Sequence, residues 1–149
     1  MVKTKPVIKA AALEKTITTS IEALSKASDA AGTAVTKKIA EGNILQIEIS
    51  RHLKKKTILT KRSKAAVTKY KKSPDAASKK SIDAIAKELN LIQVALKKAR
   101  ASKVMVLAEL VALRAATKRL SAYTRAITAA DKVLNKPVVK KKRSTKKAI

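Results

Sequence analysis

GNILQIEI, residues 42 to 49, decides whether this chain is all helix or a mixture of helix and strand. Leu45, Ile47 and Ile49 alternate with polar residues as a half-buried strand would. No second stretch offers a partner strand, and a strand without one is not viable. The segment therefore reads as the irregular start of a helix, and the fold class becomes all-α.

On its N-terminal side, Gly42-Asn43 is the natural stop of a first helix over about residues 8–41, since either residue takes the left-handed cap conformation. Leu13, Ile17, Ile21, Leu24, Ala31, Val35 and Ile39 form its apolar stripe, recurring at three, four or their sum. Gly32 weakens that helix by roughly 1 kcal/mol relative to alanine without ending it. On the C-terminal side a second helix covers residues 44–72. It stops at Ser73-Pro74-Asp75, which reads as a hydroxyl N-cap, a proline at the first helical position and a first-turn carboxylate.

A third helical segment, 74–134, contains neither glycine nor proline beyond its start. Ile82, Ile85, Leu89, Ile92, Leu96 and Ala99 follow a three-four repeat. A second run, Leu113, Ala116, Leu120, Tyr123, Ile127, Ala130 and Leu134, joins it through Val106 and Leu110, with Lys103 as the one charged seam position. Uninterrupted, this helix would be about 90 Å long; a turn near residues 100–103 would make it an antiparallel pair. The expected architecture is long amphipathic helices forming an elongated bundle or coiled-coil-like assembly. It comprises a single helical domain over residues 1–135 and a disordered basic tail over 136–149.

The charge is far from ordinary. With 36 basic and 10 acidic residues among 149, the formal net charge is +26. Solubility asks a small domain for a net charge of only about 2 to 8 in magnitude. The excess points to a polyanionic partner: nucleic acid, an anionic membrane or another polyphosphate. Hydrophobic residues make up 46% of the chain, but many are alanine, and Phe and Trp are absent. The core is accordingly thin, which favours association with a partner or with further copies, a homo-oligomer or filament.

Residues 51 to 73, RHLKKKTILTKRSKAAVTKYKKS, hold ten lysines and arginines, and no acidic residue occurs between 49 and 74. On a helical wheel, seven of the ten (Arg51, Lys54, Lys55, Lys61, Arg62, Lys69 and Lys72) share about a third of the circumference. Leu45, Ile49, Leu53, Leu59, Val67 and Tyr70 lie opposite, so the helix can dock one face and present a basic ridge on the other. The tail adds Lys136, Lys140, Lys141, Lys142, Arg143, Lys146 and Lys147 as further phosphate contacts. Its KKKRSTKK also fits the loose pattern of a nuclear import signal.

In composition, the Lys and Ala richness of the central stretch and tail resembles the bacterial histone-like and linker-histone-tail class of condensing proteins. That resemblance implies DNA condensation, and it covers those segments alone. The Leu and Ile seams elsewhere depart from such low-complexity tails.

Two tyrosines are the only aromatic residues, too few for the stacking platforms of single-strand or RNA-recognition modules. A ridge made mostly of lysine meets phosphate as point charges and does not read base edges. Neither an enzyme nor a cofactor is expected. His52 is the only histidine, cysteine is absent, Asp83 and Glu88 do not share a helix face, and Gly32 and Gly42 lack a phosphate-loop context. No apolar run reaches signal-peptide or membrane-span length.

The sequence thus points to a nonspecific structural protein that packages, coats or condenses DNA. It would be intracellular and nucleic-acid-associated, in a nucleoid, nucleus or virion. The alternatives are a coat or core protein of a virus or filament that wraps nucleic acid, an amphipathic coat on an anionic membrane or granule, and an RNA or ribosome-associated scaffold. Among partners, duplex DNA ranks ahead of RNA and of a membrane, and no small-molecule substrate is implied.

Overall fold

A computed structural model describes residues 11–135. They form two helices, α1 (Ala11–Lys72) of 62 residues and α2 (Ala76–Leu134) of 59. The chain is all-α, as its periodicities require. The expected tail, residues 136–149, lies outside the described residues.

One expected boundary is absent, and of the two readings open for the third segment the uninterrupted helix is the one found. Helix α1 runs unbroken through Gly42-Asn43, and no residue among those described, glycine included, takes a positive φ. A Cβ built on Gly42 would meet Val106 Cγ1 at 3.8 Å, an ordinary van der Waals contact, so this glycine lies where α2 packs. Packing on both sides outweighs a propensity cost of about 1 kcal/mol. Helix α2 likewise continues through residues 100–103, which leaves residues 73–75 as the link between the helices.

That link differs in detail from the expected one. Ser73 N–H donates to Lys69 O at 2.9 Å and closes α1, while Asp75 Oδ1 accepts from Ser78 N–H at 2.5 Å. Asp75, two residues later than the expected Ser73, is therefore the N-cap. Pro74 sits before the cap, where its missing N–H and fixed φ end one helix without having to begin the next. The bond from Ser78 holds the Asp75 carboxyl below its usual range.

Packing divides the chain into two units. One, the hairpin unit, is Gly32–Ala115; the other, the terminal unit, takes in Met1–Ala31 and Ala116–Ile149, of which residues 11–31 and 116–135 are described.

In the hairpin unit the inward side chains of α1 are Val35, Lys38, Gly42, Leu45, Ile49, His52, Lys56, Leu59, Ser63, Ala66 and Tyr70. Those of α2 are Ser78, Ile82, Ile85, Leu89, Ile92, Leu96, Ala99, Lys103, Val106, Leu110 and Leu113. Both series alternate steps of three and four, the seven-residue repeat of a left-handed coiled coil. The most buried residues are Ile49, Leu59, Leu96, Ala99 and Leu110, and Ile92 packs against the Ile49, Leu96 and Ala99 cluster. The seven-residue repeat corrects the expected α1 face: Leu53 and Val67 flank the seam, 39% and 37% exposed, while His52, Lys56 and Ser63 turn inward.

Two polar seam positions, Lys38 and Lys103, are matched across the hairpin. Lys38 Nζ donates to Glu109 at 2.7 Å and to Glu41 at 2.8 Å, and Lys103 Nζ donates to Gln46 Oε1. Glu109, then Glu41, push the Lys38 ammonium up to about 12. Such specific pairs oppose a slip by one heptad, which the apolar positions alone resist weakly.

In the terminal unit Ile21, Leu24, Ser28 and Ala31 of α1 face inward, with Thr117, Leu120, Ser121, Thr124, Thr128 and Asp131 of α2. Ser28 Oγ and Ser121 Oγ lie 3.4 Å apart. No described residue of this unit is fully buried. Threonine is tolerated throughout both helices because its hydroxyl donates to the carbonyl four residues back, as at Thr57, Thr60, Thr68 and Thr124.

Candidate nucleic-acid interface

The hairpin unit, Gly32–Ala115, contains twenty of the 36 basic residues and six of the ten acidic ones. In heptad terms, with Ile49, Lys56, Ser63 and Tyr70 at position a, the cations Lys55, Arg62 and Lys69 fall at g. Lys54 and Lys61 fall at f, and Arg51 and Lys72 at c. Positions g, c and f are contiguous on one flank of a coiled-coil helix. All seven side chains are exposed. Among the described residues none of them enters an ion pair or a side-chain hydrogen bond, in contrast to the seam cation Lys38.

The ridge from Arg51 to Lys72 rises about 31 Å along α1, and its g column repeats every 10.5 Å or so. Like charges three and four residues apart, such as Arg51 with Lys54 and Lys55, each cost a helix a few tenths of a kcal/mol. The helix forms across that strain because its other flank packs on α2. The seven remaining candidates, Lys136, Lys140, Lys141, Lys142, Arg143, Lys146 and Lys147, lie outside the described residues.

Sequence reasoning missed the contribution of α2. Lys79, Lys80, Lys87, Lys97, Lys98 and Arg100 are exposed on it, within the same unit. The turn at 73–75 brings Lys79 and Lys80 to the same end of the hairpin as Lys69, Lys71 and Lys72. On α1 these cations suit the negative end of the helix dipole; on α2 they stand at the positive end, where the Asp75 N-cap carboxylate offsets them and the first turn itself adds no acidic residue. The KK pairs at 79–80 and 97–98 were visible, but only the hairpin shows that the first of them lies at the same end as Lys69 and Lys72.

Beside the ridge, Lys55 and Arg62 rim a groove of about 330 Å³ floored by Ile58, Leu59, Leu91 and Ile92, with Glu88 on its far side. His52 lies half-buried on the seam with Nδ1 lacking a hydrogen-bond partner, and Tyr70 is half-buried there too. Among the described residues no three His, Cys, Asp or Glu side chains come together, and no helix is long and apolar enough to cross a membrane. Comparisons with protein-family models, with curated proteins and with solved structures find no match for this chain.

Proposed function

We propose that the chain is a structural nucleic-acid-binding protein that coats or condenses duplex DNA through phosphate contacts, without reading sequence. The observation that carries this reading is the exposed, unpaired ridge of Arg51, Lys54, Lys55, Lys61, Arg62, Lys69 and Lys72. Duplex DNA carries one charge per about 1.7 Å of axis, so a ridge of about 30 Å can meet several phosphates, and the released counterions drive association. Lysine dominates the ridge, which suits backbone contacts over base recognition. Lys71, Lys79 and Lys80 add positive charge at the same end of the hairpin, and the tail cations are assigned as a second contact. The test is binding to two unrelated duplexes of equal length across a salt series: equal affinities and a steep salt dependence support the reading, and no binding at low salt refutes it.

A second reading draws on one specific observation. Ile58 and Leu91, 53% and 69% exposed, lie beside Lys55 and Arg62, and apolar residues flanked by cations also suit an anionic membrane surface. Flotation with anionic and neutral vesicles separates the two, because only membrane insertion would retain the protein on vesicles at high salt. A preference for structured RNA over duplex DNA of equal length would move the assignment to an RNA scaffold.

A further inference from the structure

Between residues 101 and 115, helix α2 is polar toward its partner helix and apolar toward solvent. The charged residues of that stretch are Lys103, Glu109 and Arg114. Helix α1 engages two of them, Lys103 through Gln46 and Glu109 through Lys38. With Leu96, Lys103 and Leu110 at heptad position a, the outward side is made by Ala101, Ala108 and Ala115 at f and by Val104 and Val111 at b. All five are exposed, Val104 by 67% and Val111 by 69%, and Met105, 65% exposed, borders them at c. Ala101, Val104, Ala108, Val111 and Ala115 step by three and four. They form a second seven-residue repeat, about 21 Å long, on the side away from α1. A helix that is apolar on both sides has neighbours on both sides.

We infer that this side is a docking surface for a third helix, supplied by another protein and carrying carboxylates along the edges of an apolar seam. The repeat argues for a helix over a lipid surface, which asks for apolar area but not for spacing. Alanine at every seventh residue lets a facing backbone approach closely, and the valines between enter the holes of its side-chain lattice. The charges argue for an acidic partner. Lys97 and Lys98 precede the stripe, and Arg100 and Arg114 line its edge at e. Among the described residues none of these four enters an ion pair or a side-chain hydrogen bond, whereas Glu109, on the other edge, is already held by Lys38. A second copy of the chain fits this border badly, since its hairpin unit brings twenty cations against six carboxylates. Position f points away from the partner helix on α1 and α2 alike, so the ridge and this face lie on opposite sides and a copy bound to DNA keeps the face free.

The probe is a labelled synthetic peptide of three heptads, with leucine and alanine along its seam and glutamate on both edges. It is titrated with the full chain in about 0.15 M salt without nucleic acid. The wild type should bind it with a gain of helical circular dichroism, and should bind a peptide of the same composition with a scrambled seam at least tenfold more weakly. Val104→Gln/Val111→Gln, which adds no charge and does not lower helix propensity, should weaken binding of the ordered peptide at least tenfold. The variant with Lys54, Lys61, Arg62 and Lys69 changed to glutamine should prefer the ordered peptide by the same factor as the wild type, so a failure of the DNA-binding reading leaves this result standing. No binding by the wild type, equal binding of the two peptides, or normal binding by the double variant overturns the proposal. So does a wild type that ignores the peptide and instead self-associates or stays on phosphatidylserine vesicles, which gives the face to a second copy or to lipid.

Discussion

Gly32 and Gly42 look equivalent in sequence, two helix-weakening residues ten apart, and their surroundings separate them. A Cβ added at Gly32 meets nothing within 4 Å, whereas one at Gly42 comes against Val106. Gly32→Ala should therefore stabilise the fold by up to about 1 kcal/mol, read as a higher urea midpoint. A lower midpoint would mean that the helix needs glycine there. Lys38 makes a second prediction. Its folded-state pKa is raised from 10.5 to about 12, chiefly by the bond to Glu109, so its contribution to stability is complete below pH 10.5 and is lost as pH rises toward 12. The difference in urea midpoint between the wild type and Lys38→Gln should be constant at lower pH and shrink across that window. A difference that persists unchanged at pH 12 would mean that the Lys38 charge is not what Glu109 and Glu41 hold.

At the scale of the helix, register is what the sequence conveyed least well. The α2 seam from Ile82 to Ala99 was legible because every position is apolar, and it continued through Lys103, Val106 and Leu110 as its spacing required. On α1 the seam is half polar, so the apolar residues Leu53 and Val67 drew the expected face toward themselves. Only the partner's seven-residue repeat draws His52, Lys56 and Ser63 inward. The same cause explains the missed continuity at Gly42: a stop signal is local, whereas the α2 helix packed beside it, at Val106, is 64 residues away in sequence. The second α2 run was seen correctly as apolar. What spacing could not reveal is that Tyr123 and Ile127 face outward while threonines face the partner. The register makes a direct prediction. Leu96→Ala, at a side chain 5% exposed, should cost about 2–4 kcal/mol, and Leu53→Ala, at one 39% exposed, much less. Equal losses in denaturant titrations would contradict the seam.

Taken whole, the molecule separates two properties that sequence composition blends. Buried apolar contacts collect in Gly32–Ala115, whereas excess cations occur in both units: twenty basic against six acidic residues in the hairpin unit and sixteen against four in the terminal unit, ten of whose cations lie outside the described residues. The basic ridge was legible from residues 51–72 alone, because it needs only helical geometry and an absence of carboxylates. The placement of the turn lysines was not, because it depends on where the chain reverses. A hairpin whose charged flank is unpaired gains from any polyanion that relieves its self-repulsion.

The most direct test of that account is the salt dependence of duplex DNA binding, measured for the wild type and for a variant with Lys54, Lys61, Arg62 and Lys69 all changed to glutamine. The account predicts that log K falls steeply with log salt, identically for unrelated sequences. It also predicts that the variant keeps its helicity while the slope drops in magnitude by up to about 4. An unchanged affinity and slope in the variant, or no binding by the wild type at low salt, would contradict the assignment of the α1 ridge as the phosphate-binding surface.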